Sequence, residues 1–196
     1  MTYPYKFVCV FCGSADGLAN NYYDAAFEIG SRLAKLGITL VYGGGRTGLM
    51  GAMAEGALQQ GGEIIGIVPR GLESPQLIYT SGLTRLEIVD DIQQRKARMI
   101  ELAEAFLCLP GGYGTLDETF EVLTWSQIGR HRKTCGFLNT DGYFDLLFAW
   151  LKRAYQDKFI YEEHLDLFVE DGTPQGLLDK LAESKFPENI GRWLER

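Results

Sequence analysis

Short apolar runs alternate with longer segments of helical periodicity along the whole chain, and this alternation constrains the fold more than any other feature. The predicted strands are Lys6–Phe11, Ile38–Tyr42, Ile64–Val68, Leu86–Val89, Phe106–Leu109, Cys135–Leu138 and Phe168–Val169. The predicted helices cover residues 21–36, 48–60, 92–104, 115–128, 142–155 and 173–183. Strands that alternate with helices form a parallel sheet covered on both faces, for which continuously apolar strands are suited. At roughly 150 residues per domain, we predict one α/β domain over residues 1–196, a Rossmann-like doubly wound parallel sheet.

The charge balance narrows the range of partners. The chain has 19 basic and 26 acidic residues, which gives a net charge of −7, and it has no basic run. We therefore expect it to bind neither nucleic acid nor anionic membranes broadly, and an anionic ligand must be held locally in a pocket. Two histidines cannot form a three-histidine zinc site, and no apolar run approaches the length of a membrane span. We expect a cytoplasmic protein.

Four cysteines include a C-x-x-C pair, Cys9 and Cys12, that lies within the first apolar run. Residues three apart on a strand point to opposite faces, so this pair cannot clamp a metal from there. A redox pair would be expected at a helix N-terminus. We interpret the cysteines as reduced core residues.

Three joints between a strand and the following helix are rich in small residues. They are residues 12–16, 43–51 and 110–118, which follow the first, second and fifth predicted strands. Glycines allow backbone N–H groups to approach an anion, and the N-terminus of the next helix favours negative charge there. Two long joints of this kind on one sheet edge indicate a ligand that carries phosphate, in preference to tight packing turns.

The second joint also satisfies G-x-G-x-x-G through Gly43, Gly45 and Gly48. A dinucleotide-binding motif should follow the first strand, with an acidic residue at the end of the next strand. Here it follows the second strand, and the next strand is followed by Pro69 and Arg70. Binding of a nicotinamide dinucleotide is therefore the weaker alternative. The phosphate-binding loop of nucleoside triphosphatases is absent from the sequence, which disfavours that class.

The third joint leads into two carboxylates. Thr115 and Glu118 fit a helix capping box, which is the purely structural interpretation. In the functional interpretation, Glu118 and Glu121 face the sugar of a nucleotide, where a carboxylate can stabilise an oxocarbenium-like transition state or activate water. Arg95 and Lys96 could then supply cations for a phosphate, although a solvated surface face explains them equally well.

Two motifs together, Gly-Gly-Arg-Thr-Gly-Leu-Met-Gly at 44–51 and Pro-Gly-Gly-Tyr-Gly-Thr-Leu-Asp-Glu at 110–118, resemble the signature of the LONELY GUY family. That family comprises cytokinin riboside 5′-monophosphate phosphoribohydrolases, which release a free adenine-type base and ribose 5-phosphate. The resemblance runs from about Phe7 to about Leu151. It implies a purine nucleoside 5′-monophosphate as substrate, a homodimer, and no metal or cofactor.

Carried over by motif, the resemblance implies catalytic roles for Arg95 and Glu118. It implies that the nucleotide is held by Ser14, Gly44, Gly45, Gly48, Met50, Lys96, Gly111, Gly112, Gly114, Thr115 and Glu121. The family usually reads D-M-H-x-R-K around the arginine, and Gln93 stands here in place of the histidine. Ala15 likewise follows Ser14 where a second serine is common. These departures leave the preferred base open.

Two other functions remain to be distinguished. Some family members carry a lysine decarboxylase name, but that reaction needs pyridoxal phosphate and a Schiff-base lysine, for which only Lys96 lies near the predicted site. The alternative to hydrolysis is a non-catalytic nucleotide or cofactor carrier on the same scaffold, as in the related molybdenum cofactor carriers. A carrier would bind without turnover and would not depend on Glu118.

Overall fold

The computed structural model describes residues 3–188 and 190, and it contains one sheet of seven parallel strands. The strands are β1 Phe7–Phe11, β2 Thr39–Tyr42, β3 Ile64–Pro69, β4 Arg85–Val89, β5 Ala105–Cys108, β6 Cys135–Leu138 and β7 Phe168–Asp171. The helices are α1 Asn20–Lys35, α2 Gly48–Gln59, α3 Ile92–Leu102, α4 Tyr113–Gln127, α5 Asp145–Gln156 and α6 Pro174–Glu183. The predicted α/β fold with a doubly wound parallel sheet is confirmed.

The strand order β4-β3-β2-β1-β5-β6-β7 reverses direction between β1 and β5. Val8 of β1 lies opposite Leu40 of β2 on one side and opposite Ala105 of β5 on the other. The connections after β1 and β5 therefore leave the sheet toward opposite faces and open a crevice at its carboxyl edge. Ligands of doubly wound folds bind at such a switch point.

Helices cover both faces of the sheet and divide its core into two layers. Helices α1, α2 and α6 pack on one face, and α3, α4 and α5 pack on the other. Alternate residues of β1 point into the two layers, with Val8 and Val10 in the first and Cys9 and Phe11 in the second. Because both faces are buried, the central strands consist almost entirely of apolar residues.

The cysteines behave as the strand geometry predicts. Cys9 lies in the layer of α3 and α4, whereas Cys12 lies in the layer of α1 and α2. Both thiols are buried and free, as are those of Cys108 and Cys135. Desolvation by burial raises the pKa of all four thiols, so they are poor nucleophiles.

Most helix boundaries agree with the predictions within two residues. Asp91 caps α3 by accepting hydrogen bonds from the N–H groups of Gln93 and Gln94, each at 2.8 Å. The predicted start of the fifth helix at Gly142 is wrong, because 140–142 form a separate 3₁₀ turn in which Asp141 has a φ of 51°. A second 3₁₀ helix, Glu162–Leu167, had no sequence signal.

Residues 1, 2, 189 and 191–196 of the predicted single domain lie outside the described residues, and the single-domain organisation stays a prediction. Among the described residues, no helix combines the length and apolar character that crossing a bilayer requires.

Candidate active site

A cavity of about 690 Å³ opens at the switch point of the sheet. Its walls come from the loops after β1, β2 and β5, with α3 closing one side. Two backbone hydrogen bonds hold these loops together: Gly13 N–H donates to the Pro110 carbonyl and Leu49 N–H donates to the Gly13 carbonyl, each at 3.0 Å. The three small-residue joints of the sequence therefore meet at one place.

The structure brings most of the predicted site residues to this cavity. The lining includes Ser14, Gly45, Met50, Arg95, Gly111, Gly112, Gly114, Thr115 and Glu118. The predicted residues outside the lining are Gly44, Gly48, Lys96 and Glu121. The motifs therefore locate the cavity, but they do not separate residues that face it from residues that support its walls.

Arg95 and Glu118 form the charged centre of the cavity. Nη1 of Arg95 donates to Oε1 of Glu118 at 2.6 Å, and the two side chains are only 13% and 10% exposed. Nε of Arg95 donates to the carbonyl of Ile67, within β3, at 3.1 Å. The guanidinium is thus anchored on two sides, and it holds the carboxylate in one orientation.

Burial raises the pKa of Glu118 above its ordinary value, and the charge and hydrogen bond of Arg95 partly oppose that rise. A carboxyl group with a raised pKa, in a cavity and beside a specific charge partner, is typical of acid–base chemistry.

The start of α4 forms the anion-binding side of the cavity. Gly112 is the N-cap, and no side chain caps the helix. The first N–H groups of a helix have no carbonyl partner one turn earlier, so those of Tyr113, Gly114 and Thr115 can serve a ligand. The predicted capping box of Thr115 and Glu118 is wrong, because the helix begins two residues earlier and Thr115 lies within its first turn.

At the start of α2, by contrast, a side chain of the protein accepts a hydrogen bond from a backbone N–H group. The carboxylate of Asp16 accepts a hydrogen bond from the N–H of Gly48 at 2.9 Å, and the Thr47 hydroxyl donates to the Ser14 carbonyl at 2.8 Å. Gly48 has a φ of +56°, and a Cβ there would lie 2.5 Å from the Ser14 carbonyl carbon. The sequence analysis placed Asp16 in the first joint but predicted no role for it, since an acidic residue in a loop carries no signal by itself.

Two of the predicted binding residues, Lys96 and Glu121, lie behind the cavity wall. Nζ of Lys96 is 2.9 Å from both Oε2 of Glu121 and Oδ2 of Asp117. This cluster joins α3 to α4 beside the pair of Arg95 and Glu118. Glu121 therefore faces Lys96 and not the cavity.

The opposite wall is apolar and comes largely from the loop over residues 70–84. Leu72, Leu77 and Ile78 of this loop line the cavity. The loop is held against the second joint by hydrogen bonds from Arg46 N–H to the Leu77 carbonyl at 2.9 Å and from Tyr79 N–H to the Gly44 carbonyl at 3.2 Å. Sequence reasoning missed these residues because the loop has no periodicity.

The residues present do not fit pyridoxal phosphate. Among residues 3–188, no lysine lines the cavity. Desolvation lowers the pKa of Lys96, but its hydrogen bonds to Asp117 and Glu121 outweigh this and raise the pKa overall. A protonated, doubly paired amine outside the cavity cannot form a Schiff base with a ligand inside it.

Comparison with known proteins agrees with the motifs. A family model described as "Possible lysine decarboxylase" matches residues 50–181. The chain is 44% identical over 179 residues to the probable cytokinin riboside 5′-monophosphate phosphoribohydrolase LOGL3 of Oryza sativa subsp. japonica, covering 91% of this chain and 84% of the relative. It is 41% identical to cytokinin riboside 5′-monophosphate phosphoribohydrolase LOG3 of Arabidopsis thaliana, covering 91% and 83%.

Solved structures share the fold at lower identity. The molybdenum cofactor binding protein of Rippkaea orientalis superimposes with a TM-score of 0.66 at 19% identity, covering 88% of this chain and 93% of that one. The molybdenum cofactor carrier protein of Chlamydomonas reinhardtii gives 0.64 at 19% identity, covering 89% and 94%. These likenesses show the fold alone. The sequence relatives, by contrast, are similar over nine-tenths of this chain, and the chain therefore belongs to the LONELY GUY (LOG) family.

Proposed function

We propose that this protein hydrolyses the N-glycosidic bond of a purine riboside 5′-monophosphate, either AMP or a cytokinin-type nucleotide. The products are the free base and ribose 5-phosphate. The observation that carries the proposal is the buried carboxylate of Glu118, held by Arg95 one turn beyond the uncapped start of α4. The phosphate and the reacting sugar carbon of a nucleotide are separate groups, and the start of α4 and the Glu118 carboxylate are separate features of the cavity lining that could each meet one of them. The domain is accordingly proposed as a nucleotide-binding one.

The phosphate is proposed to bind the N–H groups at the start of α4, with the Thr115 hydroxyl beside them. An uncapped helix start favours an anion without a full positive charge. The base then lies toward the apolar wall of Leu72, Leu77 and Ile78, which also suits a hydrophobic substituent on the base. The ribose spans the space between, with its anomeric carbon near Glu118.

In the proposed reaction, the bond between the anomeric carbon and the base nitrogen breaks, and the base leaves with that electron pair and a proton from solvent. The carboxylate of Glu118 stabilises the positive charge that develops on the sugar, then accepts a proton from the water that adds to the anomeric carbon. Arg95 keeps this carboxylate oriented and favours its ionised form. Glu121 does not take part directly, because it faces Lys96.

The test is chromatography of the products after incubation of the purified protein with AMP and, separately, with isopentenyladenosine monophosphate. Glu118→Gln retains the shape of the side chain but cannot accept the proton, so we expect its turnover to fall about 10²–10⁴-fold. Glu101→Gln is the matched control, because Glu101 pairs with Arg98 at the surface, outside the cavity lining.

Free base from the native protein and the control, but not from Glu118→Gln, supports the proposal. Intact nucleotide in every tube, with binding still detected by calorimetry, would instead favour a non-catalytic carrier. The faster of the two substrates identifies the preferred base.

We also propose a cytoplasmic homodimer. Tyr113 and Phe120 lie seven residues apart on α4, and Trp150 of α5 packs edge-on against Phe120 at 6.4 Å between ring centroids. Tyr113, Leu146 and Trp150 are 98%, 86% and 58% exposed, which is costly for large apolar side chains. A second copy of the chain would cover this surface, and the free cysteines suit a reducing compartment.

A further inference from the structure

Two neighbouring cations on α3 face three carboxylates on α4. Arg95 pairs with Glu118, while Lys96 pairs with Asp117 and Glu121. The Lys96 side chain is 8% exposed, so its charge is withdrawn from solvent almost completely. A lysine in this state is retained only if its carboxylate partners compensate its desolvation.

We propose that Lys96 is a positioning residue, which neutralises Asp117 and Glu121 and holds α4 so that Glu118 meets Arg95. It does this without touching the nucleotide. The inference rests on the proposed function for its kinetic consequence, but its structural part can be measured without turnover.

The Lys96 side chain points to α4 and not to the lining of the cavity. Lys96 is absent from the lining, and its amine already contacts two carboxylate oxygens at 2.9 Å. Its ammonium group donates a hydrogen bond to Oδ2 of Asp117, and Oε2 of Glu121 lies at ion-pair distance. Removing it would leave two negative charges next to Glu118.

The charged and titratable groups that face Glu118 come from four elements. Arg95 and Lys96 lie on α3 and Asp117 lies on α4, while the buried thiols of Cys9 on β1, Cys12 directly after β1 and Cys108 on β5 are neutral at ordinary pH. Lys96 is thus the second of two cations that keep this group of carboxylates near neutrality. Without Lys96, Arg95 is the one of these two cations that remains beside the three carboxylates, and the pairing of Arg95 with Glu118 is weakened.

The test compares Lys96→Met, which removes the charge and keeps the length, with Lys96→Arg, which keeps the charge. Lys180→Met is the matched control. Lys180 of α6 also pairs with an aspartate, Asp171, at 2.9 Å, and neither residue lines the cavity. Two quantities are measured: kcat and KM over pH 5–9, and the titration midpoint of the Glu118 carboxyl by ¹³C NMR, assigned with Glu118→Gln.

For Lys96→Met we expect a higher Glu118 midpoint, a kcat that falls about tenfold or more at pH 6–7, and a KM within about twofold of the native value. The acidic limb of the rate profile should move upward with the midpoint. Lys96→Arg should restore most of the rate, and Lys180→Met should change none of these quantities.

A KM raised about tenfold with an unmoved Glu118 midpoint would overturn the inference, since that is the behaviour of a phosphate ligand. A Lys96→Met protein with the native kinetics and the native Glu118 midpoint would overturn the inference as well. If Lys96→Met does not fold, the double variant Asp117→Asn with Glu121→Gln takes its place. It leaves Lys96 unopposed, so the Glu118 midpoint must fall, and an unmoved midpoint contradicts the inference.

Failure of the proposed function is a separate result. A native protein that turns over none of the nucleotides tested would refute the hydrolase, whereas the NMR midpoints would still show whether Lys96 controls Glu118.

Discussion

The guanidinium of Arg95 occupies the space that a side chain at Gly43 would need. A Cβ built on Gly43 would lie 1.8 Å from Nη2 of Arg95 and 3.2 Å from the sulfur of Met50. The second glycine joint therefore makes room for the cation that orients Glu118. This gives the first glycine of the joint a role besides binding phosphate.

Gly43→Ala should displace the Arg95 side chain and weaken its pair with Glu118. Because the obstructing atoms are the end of a flexible side chain, we expect the fold to survive while kcat falls about 10–100-fold, within the range of one positioned acid–base group. Thermal unfolding and steady-state kinetics on the same preparation check this. Gly172→Ala is the control, since a Cβ there meets only the Asn139 carbonyl at 3.7 Å. Native kinetics in Gly43→Ala would contradict the prediction.

The apolar wall should control which base is preferred. Leu77 lies at the cavity and is held only by a loop, so its truncation should leave the fold intact. We expect Leu77→Ala to lower kcat/KM for isopentenyladenosine monophosphate about tenfold, since lost apolar contact is worth about 1–3 kcal/mol. AMP, which has no apolar substituent, should lose less than about threefold on the same scale. Equal losses for both substrates would show that the loop does not contact the substituent.

The stability of the fold should fall between pH 6.5 and about 4 because of His131. Burial, assisted by the charge of Lys133, lowers the pKa of His131 to about 4 from an ordinary value of 6.5. The unfolded chain binds the extra proton first as the pH falls, so the contribution of the neutral imidazole is complete above pH 6.5 and is lost below it. The effect should be about 1–2 kcal/mol after solvent screening.

Urea unfolding of the native protein and of His131→Asn at pH 7 and pH 4.5 measures this effect. In the native protein, the backbone N–H of Lys133 donates to Nδ1 of His131 at 3.2 Å. Asparagine keeps an acceptor for this N–H but cannot ionise. The variant should therefore lose less unfolding free energy than the native protein between the two pH values. Identical losses would assign the acid sensitivity to other groups.

The exposed aromatic surface should mediate pairing of two chains. Leu146 and Trp150 are four residues apart on one face of α5, so a charge at either position would enter the proposed interface. We expect Trp150→Glu to sediment as a monomer, while Leu36→Glu, at the far end of α1, should behave as the native protein does. A native protein that is monomeric at all concentrations would refute the homodimer.

Local patterns predicted much of this fold. Every strand and the six helices were found, because continuous apolarity and a 3.6-residue period depend only on how each segment is buried. The errors fell where that pattern is absent. The turn at 140–142 and the 3₁₀ helix Glu162–Leu167 carry no periodic signal. Helix α4 begins two residues before its predicted start, because its N-cap is a glycine that the sequence does not distinguish from the other glycines of the joint.

The sequence by itself determined the element order, the edge of the sheet where the cavity lies and the family to which the chain is similar, because each of these is encoded in contiguous residues. Only the tertiary structure decided that Arg95 meets Glu118, 23 residues away, while Lys96 turns from the cavity to Asp117 and Glu121. Successive residues of a helix point about 100° apart. The packing of α3 on the sheet therefore decides which of two adjacent cations faces the cavity, and no local pattern encodes that rotation.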